Sequence, residues 1–172
     1  YEKLRAGIAT ADNGSEIFIW RDDGYEELNG QFRKTYAFAP SDGYDDWTSV
    51  PAGSDGFYYL ANRCLHEIHR GKPTLPHLPK LTNIMSVRQG PQDSLLLKEG
   101  DNKPGDWGKI YWPHTKQLIA LKANLLPDVP KKDVRGLFWI EEQLRLLVFT
   151  GEEVWFIPWE EIEKLPRSKV RS

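Results

Sequence analysis

Four short apolar runs recur along this chain: Ile17-Phe18-Ile19-Trp20, Phe57-Tyr58-Tyr59-Leu60, Leu95-Leu96-Leu97-Lys98 and Leu146-Leu147-Val148-Phe149. Each is too short to be the face of a helix, and together they are rich in the aromatic and aliphatic residues that pack on pleated surfaces. Their first residues, 17, 57, 95 and 146, lie about 40 to 50 residues apart, the length of one small repeated unit. A chain whose pattern returns at that interval is constrained to build the same element several times.

The flanks of the runs repeat too. A second β-like segment precedes each: Gly7 to Thr10, Trp47 to Val50, Ile84 to Val87 and Leu137 to Ile140. Polar turns separate the two: Asp12-Asn13-Gly14-Ser15, Gly53-Ser54-Asp55-Gly56, Gly90-Pro91-Gln92-Asp93 and Glu141-Glu142-Gln143. In the first three, Asp, Asn, Gly and Pro supply the backbone angles of tight hairpins. A third strand follows each run, at Tyr25 to Leu28, Cys64 to Ile68, Lys109 to Trp112 and Val154 to Ile157. The connectors can hold a fourth, for instance Thr35 to Ala39 or Gln117 to Lys122.

The expected architecture is all-β: one β-repeat domain over residues 1–172, with repeats at about 7–30, 47–71, 84–113 and 134–158 and a short C-terminal helix or tail over 159–172. Leu95 to Leu97 cannot alternate between core and solvent, so a sheet covered on both faces is expected. Trp159 to Leu165 reads as roughly two helical turns stopped by Pro166, and Lys122 to Leu126 is a second helix candidate. The basic Arg167-Ser168-Lys169-Val170-Arg171 tail reads as a frayed terminus.

The pattern resembles β-propeller repeats. The stretch "SDGFYYLANRCLHEIHRGKP", Ser54 to Pro73, is similar to bacterial propeller blades in which one strand carries Asp-Gly-aromatic-Tyr and the next ends in a turn. The Trp-Asp and Gly-His of WD40 units and the Gly-Gly of kelch units are missing. The resemblance implies an array of about four blades of three to four antiparallel strands, used as a scaffold for recognition. A β-sandwich or barrel is the alternative. Four units could close alone, associate as a homodimer or join further blades. A chain opening on Tyr1 rather than Met is expected of a mature product or a segment of a longer protein.

Composition narrows the function. Formal net charge is −2 with a pI of about 6.1, so no basic excess points to nucleic acid. No apolar run approaches the roughly 18 residues of a membrane helix, and no signal-peptide pattern opens the chain. Cys64 is the single cysteine, which excludes an internal disulfide and suits a cytoplasmic location.

Candidate sites are few. Asp101-Asn102-Lys103-Pro104-Gly105-Asp106 carries oxygen ligands. However, Lys103 stands where a further ligand would be needed and no closing Glu follows, so the loop reads as a long hairpin insertion and not a calcium site. Cys64 and His66 share a strand face, but no second pair exists to complete a zinc site, and a structural cysteine is expected. No phosphate loop, nucleophile elbow or His-Glu-x-x-His motif occurs. Catalytic residues, metals and cofactors are therefore not expected. The binding-surface candidates are Trp107 with Asp106 on the insertion, and Tyr44, Asp45, Asp46 and Trp47 on a second acidic-aromatic loop. Exposed aromatic residues anchor interfaces. A protein partner is the first expectation, and a glycan stacked on Trp or Tyr beside acidic loops is the second. An enzyme with its site at the ring centre is the third.

Overall fold

The computed structural model describes residues 6–10, 17–21, 24–29, 32–37, 49–53, 56–61, 63–69, 75–76, 81, 83–100, 106–122 and 134–170. They form four antiparallel sheets, each open, and none closes into a barrel among the described residues. The chain divides into two compact units, Tyr1–Val87 and Arg88–Ser172.

The first unit holds two four-stranded meanders. One is β1 (Ala6–Thr10), β2 (Ile17–Arg21), β3 (Gly24–Asn29) and β4 (Phe32–Ala37), each paired with the next. The other is β5 (Ser49–Pro51), β6 (Gly56–Ala61), β7 (Cys64–His69) and β8 (Leu75–Pro76). Strand β6 is buried along Phe57, Tyr58, Tyr59 and Leu60, with both of its faces covered. On β7, buried His66 lies opposite Tyr59, their ring centroids 5.1 Å apart, beside half-buried Cys64.

The second unit holds the other two sheets. Strands β9 (Ile84–Gln89), β10 (Leu95–Glu99), β11 (Asp106–Trp112) and β12 (Gln117–Lys122) form a meander whose first strand spans the unit boundary. The turn after β9 is closed by the Gly90 N–H donating to the Ser94 carbonyl at 2.8 Å, with Gln92 and Asp93 at positive φ. Strands β13 (Gly136–Ile140), β14 (Arg145–Phe149) and β15 (Val154–Pro158) form the fourth sheet. Leu95, Leu96 and Leu97 are all buried, as a sheet covered on both faces requires.

One core joins these two sheets. From the third come Leu96, Trp107, Ile110, Trp112, Ile119 and Leu121, and from the fourth Leu137, Leu146, Val148 and Ile157. The register explains the selection. Leu96 lies opposite Ile110 and Ile110 opposite Ile119, so the three share a face. Leu137 lies opposite Val148, and Leu146 opposite Ile157, on the facing side of the fourth sheet. Each such side chain contributes about 1.5–3 kcal/mol on full burial.

Three expectations change at the C-terminus and at Lys122. The helix α1 spans only Trp159–Ile162, shorter than the two turns expected to Leu165. Ile162 and Leu165 are both buried, and the chain turns between them to reach Pro166. The basic tail is not frayed at Arg167–Lys169. These residues form β16, which adds antiparallel to β12 as a fifth strand, opposite Gln117, Leu118 and Ile119. Unpaired backbone groups on an edge strand are a template that a short polar segment can satisfy. The Arg167 guanidinium then stacks on the Trp112 ring at 4.2 Å. Lys122 closes strand β12 and does not open a helix, and positions 123–126 lie outside the described residues.

Candidate functional site

The fourth sheet presents two unlike faces. Trp139 and Trp155 alternate with Phe138 and Phe156 along β13 and β15. Successive strand residues point to opposite sides, so packing one type inward turns the other outward. The tryptophans go inward, against the shared core. Their indole N–H groups are satisfied locally, Trp139 donating to the Glu141 carboxylate and Trp155 to Glu153 at 3.1 Å. Trp159 completes the arrangement, edge-on to Trp139 and Trp112 with centroids 6.0 and 6.4 Å apart.

The phenylalanines go outward. Phe138, Leu147 and Phe156 form one cross-strand row, and Gly136, Phe149 and Val154 the next. Exposure is 40% at Phe138, 50% at Phe156, 49% at Val154 and 37% at Phe149, with Leu144 at 54% on the preceding turn. The Arg88 guanidinium lies 4.5 Å over the Phe138 ring. Residues opposite one another in an antiparallel ladder touch, so these side chains make a continuous apolar face.

Its surroundings carry both signs of charge, with acid in excess around β15. Glu152 and Glu153 precede β15, and Glu160, Glu161 and Glu163 follow it, all exposed. Lys164 pairs with Glu161 at 3.3 Å, and Arg145 lies opposite Pro158 on the neighbouring strand.

The sequence-nominated binding residues fare differently. Trp107 is a correction: it is fully buried, at 0% exposure, and belongs to the core. A β-bulge between Asp106 and Gly108 inserts an extra residue and carries Trp107 onto the face of Ile110 and Trp112. Its position at the mouth of the insertion therefore says nothing about solvent contact. Asp106 is half-buried, opposite Lys122 in the ladder. Tyr44, Asp45, Asp46 and Trp47 lie outside the described residues, as do positions 101–105 of the insertion. The outward phenylalanines were the missed residues, although Leu137-Phe138-Trp139-Ile140 and Val154-Trp155-Phe156-Ile157 show adjacent aromatics that cannot share one face of a strand.

Among the titratable groups, Lys109 on β11 stands out. Its ammonium pairs with the Glu99 carboxylate and is held below the ordinary lysine value of 10.5, first by desolvation and then by repulsion from Lys122. A folded value below the unfolded one means that the unfolded chain holds this proton more tightly. Stability therefore rises with pH in the alkaline window below 10.5. Lys109→Met flattens that rise, as read from urea midpoints across the window. An unchanged slope removes Lys109 as its source.

Among the described residues no group of three or more His, Cys, Asp or Glu is placed to hold a metal ion, and no helix is long and apolar enough to cross a membrane. No family model, curated protein or solved structure matches the chain.

Proposed function

We propose that this chain is a propeller-like recognition or scaffold module that binds a protein partner and performs no chemistry of its own. The observation that carries the reading is the outward row Phe138, Leu147 and Phe156 with Phe149 and Val154 beside it. A contiguous exposed apolar face marks an interaction surface more often than chance exposure does. The propeller element rests on successive antiparallel meanders, one for each repeat, and on the stacked apolar faces of the third and fourth sheets. Stacking is how repeated small sheets bury surface that one sheet cannot bury alone.

The double variant Phe138→Ser/Phe156→Ser tests the reading. Each ring is about half buried, so stability falls by about 2–3 kcal/mol in total. Proteins retained from a lysate by the immobilised wild-type chain are lost from the variant. An identical retained set from the folded variant rejects this face as the recognition surface.

A further inference from the structure

We infer that the outer edge of β15 is a strand-addition site, where an extended partner segment joins the fourth sheet as its next strand. This rests on the recognition reading and names the kind of partner. Three of the sheets carry four or more strands, whereas the fourth ends at β15. After Pro158 the chain leaves through α1, and its last strand, β16, goes to β12 instead. Among the described residues nothing pairs with the far side of β15. The strand is Val-Trp-Phe-Ile-Pro, with no charge and only its final residue a proline. Natural edges are blunted by charge, by internal proline or by a covering element. This one is left as a template.

Area favours strand addition over face contact alone. Three strands of five residues, at the usual spacing and rise, present roughly 250 Å² of projected face. A stable interface needs about 800 Å² per partner. The open edge supplies the remaining contact as main-chain hydrogen bonds, the source of affinity when peptides join sheets.

The chemistry of the occupant follows from β15 and its flanks. Cross-strand neighbours of Val154 and Phe156 lie on the outer apolar face, and neighbours of Trp155 and Ile157 lie on the core side. The added strand therefore carries apolar or β-branched residues at alternate positions. Both ends of β15 carry an excess of acid: Glu152 and Glu153 at one, with Arg135 near Gly151, and Glu160, Glu161 and Glu163 at the other, with Arg145 opposite Pro158 and Lys164 paired with Glu161. Charge complementarity calls for Lys or Arg at both ends of the occupant. The chain contains its own precedent in β16, a basic strand laid on the edge of β12 with Arg167 stacked on Trp112. The proposed partner is thus a protein presenting an extended, basic-flanked apolar segment.

The test uses a labelled peptide, Arg-Lys-Val-Thr-Val-Thr-Val-Lys-Arg, titrated into the full chain by fluorescence anisotropy, with amide exchange read on β15. Saturable binding that weakens with salt is expected, with new protection at alternate amides between Val154 and Ile157. Replacing the end cations by Glu weakens binding by about tenfold or more. N-methylation at one set of alternate residues abolishes binding and at the other set leaves it, because only one set points its N–H groups at β15. Absent saturation, equal loss with both methylation patterns, or protection confined elsewhere overturns the proposal. So does a dimeric chain, by light scattering, whose β15 amides are already protected without peptide, since a second copy then fills the edge. If the peptide fails while the Phe138→Ser/Phe156→Ser variant still loses its partners, strand addition falls and the recognition reading stands. Partners retained by that variant would remove this face as the recognition surface.

Discussion

Trp107→Ala lowers the stability of the second unit by about 3–5 kcal/mol, the range for deleting a large buried aromatic. At the usual entropy of unfolding for a chain of this size, the melting point falls by about 6–20 °C. The indole lies at 0% exposure among Leu96, Ile110, Ile119, Leu137 and Leu146. Its loss opens a cavity where the third and fourth sheets meet, and neither rigid sheet can collapse into it. Trp107→Phe is the informative companion. The Trp107 Nε1–H is buried with no hydrogen-bond partner among the described residues, so Phe removes volume and an unsatisfied donor together. It costs less than Ala, about 1–2 kcal/mol. Thermal unfolding followed by near-ultraviolet circular dichroism reads both. An unchanged melting point for Trp107→Ala would return this residue to the surface.

Trp107 also shows what was legible in the sequence. The strands were, because apolar runs bounded by turn residues leave little choice of element, and Leu95 to Leu97 correctly demanded two covered faces. The fourth strand at Gln117 to Lys122 followed from the same logic. The destination of Trp107 was not, because strict alternation from Ile110 and Trp112 puts position 107 on the opposite face. The bulge shifts that parity by one residue. A glycine directly after a tryptophan inside a strand was the available signal.

Strand β16 was illegible for a different reason. Arg167-Ser168-Lys169 has no apolar pattern, and its structure is imposed by the unpaired backbone of β12. The candidate surface was half legible. Adjacent Phe and Trp on β13 and β15 must point to opposite faces, but alternation alone does not say which of the two packs against the core. Trp139 and Trp155 pack against the core while their indole N–H groups reach the exposed carboxylates of Glu141 and Glu153, and the phenylalanines take the outer side.

Gly108→Ala is the second large effect, and it isolates the geometry that makes the bulge possible. Gly108 has φ +147°, a conformation that L side chains rarely adopt. A Cβ there would overlap the Leu97 carbonyl oxygen and stand 3.2 Å from Leu137 Cδ1. The first obstacle is backbone of the neighbouring strand β10 and cannot rotate away. The second is the point where the fourth sheet packs on the third. Relief requires either β10 to separate from β11 or the two sheets to move apart. Strain and overpacking together give a loss of roughly 2–5 kcal/mol. Gly53→Ala separates the two contributions. Gly53 also has positive φ, at +72°, but a Cβ there meets nothing within 4 Å. That variant carries backbone strain alone, about 1–2 kcal/mol. Urea unfolding of both should place Gly108→Ala well below Gly53→Ala. Equal midpoints would mean that the close approaches of Leu97 and Leu137 to Gly108 do not constrain how β10, β11 and the fourth sheet pack.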